Sequence, residues 1–446
     1  MNEQTAHALD TSMPGHPGQV HPKTKSYVIA LQGSVYRLDA DTWAVESAYS
    51  HHLIELISSI DKSFSEIVVI CPAMSDEAYA RNRLSLSEMK RTSGVSFITA
   101  YPENVSPRVF WTRHAARLLR EIKSTLRHAG IVHSGMSSDI WRPFMAMVNV
   151  TAWSMGKPVL FIVDIDFRMN TWRLRRLGVW SRKNYLTNRL FHDPMRWTQL
   201  WLAPRLCDLV LLKSPELVRD FGKGRAHVKN FLDTVHASEH ILSDGALQSR
   251  LKSLRQPGTP LKLAYFGRLV PYKGVDKAIE AVGILRGRGL DIRLSIIGDG
   301  PCREALCRQV EDAGLQTAVT MLPSVAYGEP LFAALADCHA SIATPLREDT
   351  PRSAFDSMAR GLPIIAFDIA YFTGLAEQSG AVALATWPDA QSLAGEIAAL
   401  SDDRARLAEM TSNAVAFARA NTQPIWLARR QQWTREHVRG YTEQAV

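Results

Sequence analysis

Short apolar, β-branched runs alternate with longer amphipathic stretches along most of this chain, and no other feature limits its fold as strongly. The stretch at residues 113–126, for example, repeats apolar residues at helical spacing. Alternation of buried strands with amphipathic helices is the pattern of repeated βαβ units, so we predict an α/β fold with parallel sheets. The runs lie at residues 27–31, 67–71, 95–99, 159–163 and 209–212, and again at 261–266, 294–297, 319–322, 340–343 and 363–367.

The chain has 446 residues, enough for two or three domains at roughly 150 residues each. A stretch rich in Ser, Gly and Pro at 241–260 predicts a connection between a first domain, 26–240, and a second, 261–420. We expect residues 421–446 to form a helix that can pack back on either domain. Residues 1–25 lack the apolar stretch of a secretory signal and predict a flexible tail.

Cysteine content and hydropathy favour a protein of the cytoplasm. The five cysteines are scattered and include no C-x-x-C pair, which disfavours a disulfide scaffold, a zinc site or a redox centre. No apolar run reaches the roughly 18 to 20 residues of a membrane-spanning helix.

The net charge of +8 is concentrated in one place. Residues 1–240 hold 30 basic and 22 acidic side chains, whereas residues 241–446 hold 22 of each. Within the first part, residues 166–205 hold nine basic and two acidic side chains, together with four of the eleven tryptophans. Cations beside indole rings suit the interface of an anionic bilayer, so we predict peripheral binding to the inner face of the cytoplasmic membrane.

Two other interpretations of this basic segment remain. It can be a solvated insertion whose tryptophans pack inward. Nucleic-acid binding is disfavoured, because no RNA- or DNA-reading motif accompanies the charges.

Two loops of the second half have the composition of an anion site. The run at 261–266 ends in Gly267-Arg268-Leu269, and Lys273-Gly274 follows before a predicted helix. A strand, a tight loop and a helix start present backbone N–H groups to an anion, and the two cations suit a diphosphate. The alternative is that Arg268 and Lys273 are solvated loop charges.

The second loop, Gly298-Asp299-Gly300-Pro301, follows the next run, and glycine there allows a ligand to approach the backbone. Arg303 stands where the third glycine of G-x-G-x-x-G belongs, which disfavours a nicotinamide dinucleotide. A plain strand-to-helix turn is the alternative.

A third constellation places two carboxylates beside another strand end. Glu348 follows the run at 340–343, and Asp356 lies in a short helix for which Thr350 is the predicted N-cap and Pro351 the first residue. Open α/β sheets bind ligands at this edge, and carboxylates there accept hydrogen bonds from vicinal sugar hydroxyls.

In order and spacing, these three blocks resemble the donor domain of the family 4 glycosyltransferases of the GT-B fold. The third block continues into Met358-Ala359-Arg360-Gly361-Leu362-Pro363, and the resemblance spans about residues 258–400. The first half resembles the family only in outline, with a glycine turn at Gly33. The resemblance implies two Rossmann-like domains whose parallel sheets face across a cleft. It also implies a nucleotide sugar held mainly by the second domain, an acceptor held by the first, retention of anomeric configuration and no required metal.

The resemblance also implies roles for individual residues. Arg268 and Lys273 would hold the donor diphosphate, Glu348 would contact the transferred sugar, and Asp356 would take the ribose diol. The family usually has Glu where this chain has Asp356, and the loop after Glu348 differs from the family pattern. Arg352 in that loop is a candidate contact to the donor phosphate or a sugar carboxylate, with a surface ion pair as the alternative. The remaining predicted donor-binding residues are Gly33, Gly267, Gly298, Gly300 and Thr350.

On the acceptor side, the family often has a histidine at the end of the strand that here runs 159–163. This chain has Asp164 and Asp166 there, which are candidate catalytic groups for orienting or deprotonating an acceptor hydroxyl. Either can instead cap the next turn, and His133 is a further candidate. The D-x-D spacing also fits the metal-binding pair of the other glycosyltransferase fold.

The sequence therefore predicts a retaining glycosyltransferase that moves a sugar from a nucleotide-sugar donor, without a cofactor or metal. The expected acceptor is a glycan or lipid-linked glycan of cell-surface assembly. The alternative is a GT-B-like protein that has lost turnover and only binds a sugar nucleotide or a partner protein.

Overall fold

The computed structural model of the chain describes residues 25–60, 64–255 and 259–441. The predicted tail, apart from Lys25, and the last five residues of the chain lie outside this described part.

The first domain contains a seven-stranded parallel sheet in the order β10-β9-β8-β7-β1-β4-β6. A small antiparallel sheet of β2, β3 and β5, which the sequence did not predict, is inserted beside it. The strands are β1 (Lys25–Ala30), β2 (Tyr36–Arg37), β3 (Thr42–Glu46), β4 (Phe64–Ala73), β5 (Leu86–Lys90), β6 (Val95–Pro102), β7 (Ala129–Gly135), β8 (Val159–Val163), β9 (Leu209–Leu212) and β10 (Val228–Asn230).

Helices cover this sheet, and the helix at residues 115–127 buries a clear apolar stripe. In α4, Leu118, Ile122 and Leu126 recur every four residues and are fully buried, as their spacing predicts. The helices are α1 (Ser47–Ser59), α2 (Asp76–Asn82), α3 (Pro107–Val109), α4 (Ala115–Arg127), α5 (Phe144–Ser154), α6 (Asn170–Arg176), α7 (Arg182–Thr187), α8 (Asp193–Leu206) and α9 (Pro215–Leu217).

The second domain contains a six-stranded parallel sheet in the order β13-β12-β11-β14-β15-β16. Its strands are β11 (Leu261–Phe266), β12 (Ile292–Ile297), β13 (Val319–Leu322), β14 (Ala340–Ala343), β15 (Ile364–Phe367) and β16 (Val382–Ala385). The helices that follow α9 are α10 (Asp244–Leu254), α11 (Val275–Gly287), α12 (Arg303–Asp312), α13 (Glu329–Leu335), α14 (Ser353–Ala359), α15 (Ala370–Ser379), α16 (Ala390–Asp402), α17 (Arg404–Ala420) and α18 (Gln423–His437). The prediction of two α/β domains with parallel sheets is confirmed.

Both sheets reverse their strand order at one point. In the first sheet β1 lies between β4 and β7, and in the second β11 lies between β12 and β14. The connections on either side of such a point leave in opposite directions, which opens a crevice at the carboxyl ends of the strands. The loops after β1, β7, β11 and β14 therefore surround the two places in the fold best suited to a ligand.

Two segments depart from a simple two-domain chain. The stretch 241–260, predicted as an interdomain connection, contains α10, which Ser243 caps by accepting a hydrogen bond from the Ala246 N–H. The last helix, α18, returns to the first domain, where Trp426 packs on Phe231 with ring centroids 6.0 Å apart. Among the described residues, no helix combines the length and apolar character needed to cross a membrane.

Candidate functional site

The glycine loops after β11 and β12 interlock through their backbones. The Gly267 N–H donates to the carbonyl of Ile297 at 3.0 Å, and the Leu269 N–H donates to that of Asp299 at 2.8 Å. A Cβ atom on Gly298 would lie 2.0 Å from the Gly267 carbonyl oxygen, and one on Gly300 would lie 2.4 Å from that of Leu269. Loop-to-loop packing therefore requires these glycines whether or not a ligand approaches them.

Lys273 lies in the same region and is neutralised within the protein. Its Nζ is 2.5 Å from Oδ2 of Asp349, and both side chains are largely buried. The next residue, Gly274, has φ +62°, and a Cβ there would lie 2.1 Å from the Thr344 carbonyl oxygen. The loops after β11 and β14 therefore touch, and an anion that binds Lys273 must either share the ammonium group with the Asp349 carboxylate or displace that carboxylate.

Arg268 differs from Lys273 in its surroundings. Its side chain is exposed, and among the described residues no carboxylate lies within ion-pair distance of it. Gly267, Lys273 and Asp349 line one small cavity at the carboxyl edge of the second sheet. The structure therefore brings this first predicted block together, with Arg268 free to turn toward a ligand.

Glu348 is only 2% exposed and is held by residues of both domains. Its carboxylate pairs with the Arg173 guanidinium and also accepts a hydrogen bond from the Ala370 N–H at 3.2 Å. Its own N–H donates to Oδ1 of Asn170 at 2.7 Å. Burial raises the pKa of Glu348, and the charge of Arg173 opposes that rise.

Helix α6, which carries Arg173, docks against the second domain. Trp172 packs on Trp387 with ring centroids 5.7 Å apart, and the guanidinium of Arg173 lies 5.3 Å from the centre of the Trp387 ring. Arg176 lies over both indole rings. One end of the basic segment therefore crosses the cleft to hold a predicted donor-site residue.

Asp356 is buried in α14 and accepts a hydrogen bond from the Tyr327 hydroxyl at 3.1 Å. Burial raises the pKa of Asp356 to about 7. The prediction that Thr350 caps this helix is wrong, because α14 begins at Ser353 and its N-cap residue is Arg352. The prolyl ring of Pro351 therefore ends the loop and does not start the helix.

A chain of ion pairs links Arg352 to the first domain. Nη2 of Arg352 is 3.0 Å from the carboxylate of Asp233, Nζ of Lys213 is 3.1 Å from the same carboxylate, and that ammonium also pairs with Asp164 at 2.7 Å. Burial opposes ionisation of Asp233, but the two cations hold its pKa well below the usual range. Arg352 thus forms an ion pair, the alternative considered above, and it does so across the domain boundary.

The two aspartates that follow β8 occupy different environments. Asp164 faces the cleft, with 63% of its side chain exposed. Asp166 is buried, and both its oxygens accept hydrogen bonds from Arg168, which also pairs with Asp220 and Glu216. The structure therefore does not bring Asp166 to the cleft, and the two carboxylates do not face a common point as a metal-binding D-x-D pair requires.

Between the domains lies a cleft of about 520 Å³, a volume typical of small-molecule sites. Gly33 and Asp164 line it from the first domain, and Arg347 and Arg352 line it from the second. His133 also lines it, but burial and the nearby Arg430 hold its pKa well below the usual range, so its imidazole is neutral. A neutral, half-buried His133 fits a structural role.

Comparison with known proteins bears mainly on the second domain. Residues 248–417 match the family described as Glycosyl transferases group 1. The putative colanic acid biosynthesis glycosyltransferase WcaL of Salmonella typhimurium is 28% identical over 156 residues, which cover 34% of this chain and 38% of that protein. The 2-deoxystreptamine glucosyltransferase of Streptomyces kanamyceticus is 27% identical over 259 residues, which cover 57% of this chain and 64% of that protein. The chain therefore spans only 38% and 64% of the lengths of these two relatives.

Solved structures match nearly the whole chain. Alr3699/HepE of Anabaena, in complex with UDP, superposes with a TM-score of 0.62 at 17% identity, over 92% of this chain and 99% of that one. WaaG, a glycosyltransferase involved in lipopolysaccharide biosynthesis, superposes with a TM-score of 0.57 at 11% identity, over 92% of this chain and 98% of that one. At these identities the matches show the fold alone. The chain has the GT-B fold.

Sequence reasoning missed several residues that shape this GT-B site. Asp349 and Tyr327 contact predicted site residues, but nothing in their local pattern distinguishes them from ordinary loop residues. Arg173 and Asn170 lie in the basic segment, where the sequence favoured a membrane-facing role. Only the docking of α6 on the second domain shows that these two residues hold Glu348.

Proposed function

We propose that this chain is a retaining glycosyltransferase of family 4. It transfers a sugar from a nucleotide-sugar donor to a glycan or lipid-linked acceptor in cell-surface glycan assembly. The observation that carries the proposal is the match over residues 248–417, together with the gathering of Lys273, Glu348 and Asp356 around one reversal of strand order in the second sheet.

The donor binds at the carboxyl edge of the second sheet. Arg268 and Lys273 contact the diphosphate and stabilise the charge that develops on it as the glycosidic bond breaks. Lys273 reaches the diphosphate by exchanging the carboxylate of Asp349 for a phosphate oxygen, so a negatively charged partner is present in both states. Glu348 contacts hydroxyls of the transferred sugar, and Asp356 accepts hydrogen bonds from the ribose diol.

Charge stabilisation by Arg268 and Lys273 makes the proposed reaction independent of a divalent metal. The two cations supply the positive charge that a metal ion supplies to other phosphoryl leaving groups. Turnover that persists in excess chelator supports this step, and turnover restored only by added magnesium or manganese contradicts it.

The acceptor occupies the cleft on the side of the first domain. Asp164, at the end of β8, is the carboxylate there that has the exposure to orient an acceptor hydroxyl. Asp166 is left out of this proposal because Arg168 holds it away from the cleft. WcaL is described as a putative glycosyltransferase of colanic acid biosynthesis, and WaaG as a glycosyltransferase of lipopolysaccharide biosynthesis. Both descriptions support a cell-surface acceptor for this chain.

We also propose peripheral binding to the inner face of the cytoplasmic membrane, through the part of the basic segment around α7. Three cations, Arg182, Lys183 and Arg189, are exposed around α7, and none has an ion-pair partner among the described residues. Exposed apolar side chains lie beside them, an arrangement that suits an anionic bilayer surface. These apolar residues are Val179, Leu186, Leu190 and Phe191.

Turnover of a nucleotide sugar tests the proposal. The full chain is incubated with a panel of nucleotide sugars and a mixture of bacterial glycolipid acceptors, and release of nucleoside diphosphate is measured. We expect release from one donor, lost in Glu348→Gln and kept in Glu311→Gln, a control in an exposed carboxylate of α12. Binding of a nucleotide sugar without any release would instead favour the alternative, a GT-B protein that has lost turnover.

A further inference from the structure

Helix α18 carries one arginine to the floor of the interdomain cleft. Arg430 is 5% exposed and lines the cleft between β7 and α1. One of its Nη atoms lies 3.3 Å from Nδ1 of His133, and Tyr27 is its other polar neighbour. Both neighbours are neutral acceptors. Among the described side chains, no carboxylate lies within ion-pair distance of the guanidinium.

Within the part of the chain that the structure describes, no other group near Arg430 balances its charge. An arginine stays protonated in a protein, so it cannot discharge when it is buried. The titratable groups beside it are Tyr27, Tyr49, His52 and His133. Burial, with Arg430 adding to it, lowers the pKa of His52 to about 4 and holds that of His133 well below its usual value. Burial raises the pKa of both tyrosines, and the charge of Arg430 opposes that rise. All four groups are therefore neutral at physiological pH, and none supplies a negative charge.

Three of the four other cations that line the cleft among the described residues pair with carboxylates. Lys213 pairs with Asp164 and Asp233, and Arg352 pairs with Asp233. Arg196 pairs with Asp193 at 3.1 Å. Arg347, which stacks on the ring of Tyr272, is the one other lining cation that lacks a carboxylate partner among the described residues. The cleft therefore presents an excess of positive charge, part of it fixed at Arg430.

We propose that Arg430 binds an anionic group of the acceptor, a phosphate or a carboxylate. This inference rests on the proposed function, because it assigns the chemistry of that function's acceptor. A buried cation without a counter-charge is costly, and an anion that enters the cleft supplies the missing charge through a guanidinium already packed in place.

The position of Arg430 separates this anion from the donor diphosphate. Arg430 contacts His133, which pairs with Ile29 in the register of β7 and β1, at the reversal of strand order in the first sheet. Lys273 and Gly267 line the small cavity at the second sheet, and Arg430 does not. The two anion sites therefore belong to different domains and different substrates.

Titration of the full-length chain with small anions at low ionic strength tests the inference. The probes are glucose 1-phosphate, glucuronate and a short-chain phosphatidic acid, which distinguish a sugar phosphate, a sugar carboxylate and a lipid phosphate. We expect saturable binding of at least one probe, weakened about tenfold or more in Arg430→Gln. Arg429→Gln is the matched control, because it removes the same charge from an adjacent, exposed position of the same helix.

The inference is overturned if no probe binds saturably, or if Arg429→Gln weakens binding as much as Arg430→Gln. Arg430→Lys keeps the charge but loses the two-point guanidinium contact, so we expect binding several-fold weaker than in the wild type. An unchanged affinity in Arg430→Lys contradicts the inference even if Arg430→Gln fails to fold. Nucleotide-sugar binding, measured on the same variants, stays unchanged if the donor proposal holds, so failure of one proposal is distinguishable from failure of the other.

Discussion

At the scale of residues, two charged side chains of the candidate donor site are already neutralised by the protein itself. Lys273 pairs with Asp349, and Glu348 pairs with Arg173, whereas Arg268 has no carboxylate partner among the described residues. Buried charges without partners are costly, and these pairs avoid that cost in the absence of ligand. Binding of a donor therefore exchanges one set of ionic contacts for another, and each pair contributes to both stability and affinity.

The Arg173–Glu348 pair provides the first prediction. Arg173→Gln or Glu348→Gln leaves one buried charge without its partner, so we expect each to lower the free energy of unfolding by about 3 to 5 kcal/mol. The double variant removes both charges and should lose less than the sum of the two. Chemical denaturation of the four proteins measures the coupling energy.

An ion pair on the surface serves as the control for this double-mutant cycle. Arg406 and Glu396 lie 3.6 Å apart and are both partly exposed, so we expect their coupling to stay within about 1 kcal/mol. Equal coupling in the two cycles would mean that the pair between the domains is no stronger than an exposed one.

Asp356 provides a prediction on pH. Its pKa is raised by burial to about 7 in the folded protein, against an ordinary value of 3.8, so the folded state keeps a proton that the unfolded state has lost. The free energy of unfolding should therefore fall as pH rises from about 4 to about 7, and Asp356→Asn should remove that part of the fall. Thermal unfolding of wild type and variant across this range measures the difference, which should reach a few kcal/mol at pH 8.

An exposed carboxylate is the matched control for Asp356. The side chain of Asp337 is 88% exposed, and its removal should leave the pH dependence as it is in the wild type. If Asp356→Asn follows the wild-type profile just as closely, Asp356 is ionised across the range and the account of its burial is wrong.

At the scale of elements, the two glycine loops form a single unit. Backbone hydrogen bonds join the loop after β11 to the loop after β12, and a Cβ at Gly298 would overlap the Gly267 carbonyl. Neither backbone can move without breaking these hydrogen bonds. The loop that carries Arg268 is therefore held in place by backbone contacts with the neighbouring loop, in which Gly298 and Gly300 allow the close approach.

Gly298→Ala tests this coupling. We expect a marked loss of thermal stability and weaker donor binding, because the new methyl group pushes the Gly267 loop away from its position. Gly395→Ala is the control, since Gly395 lies inside α16 with no atom within 4 Å of an added Cβ. That change should raise stability by about 0.5 to 1 kcal/mol. A Gly298→Ala protein as stable as the wild type would contradict the coupling.

The sequence predicted elements better than it predicted contacts. Strand runs and helix stripes follow from local periodicity, so both sheets and the helix over residues 115–127 could be anticipated. Polar composition predicted residues 241–260 as a connection between the domains but did not reveal the helix α10 within it, because α10 buries only Leu247 and Leu254 and leaves a mostly polar surface. Thr350 has the right residue type for an N-cap, but tertiary packing starts the helix at Ser353.

Part of the candidate site could be predicted because it depends on the order of strands and loops within one domain. That order brings Gly267, Lys273 and Glu348 to the same edge of the second sheet. Arg173 and Arg430 reach the cleft from segments far away in the chain, and no local pattern records which domain a crossing helix will touch.

At the scale of the whole molecule, α6 and α18 cross between the domains. Helix α6 of the first domain holds Glu348 of the second, and α18 brings the end of the chain back to the first domain. The basic segment is therefore divided: α6 is occupied at the cleft, and the exposed cations around α7 remain available to a surface.

Liposome co-sedimentation tests the availability of that surface. We expect the full chain to bind vesicles that contain anionic lipid and to bind neutral vesicles weakly. Replacement of Arg182, Lys183 and Arg189 by Glu should reduce binding strongly, because each exposed cation near an anionic surface contributes about 1 kcal/mol. Arg173 is unsuitable for this test, since its loss disturbs Glu348.

A matched triple variant in the second domain controls for net charge. Lys252, Arg288 and Arg308 are exposed, and their replacement by Glu changes the total charge by the same amount. If the two triple variants lose binding equally, the effect comes from overall charge and not from the surface around α7.

The most direct test of the central claim, that the second domain binds a nucleotide sugar at Lys273, is calorimetric titration with a panel of nucleotide sugars. We expect one of them to bind the wild-type chain and to bind Lys273→Ala at least about tenfold more weakly, because the variant loses a charge-assisted contact and leaves Asp349 facing the diphosphate. Lys277→Ala, one turn along in α11 and paired with Glu280, should bind as the wild type does. Failure of every nucleotide sugar to bind, or equal affinity in Lys273→Ala and the wild type, would contradict the claim.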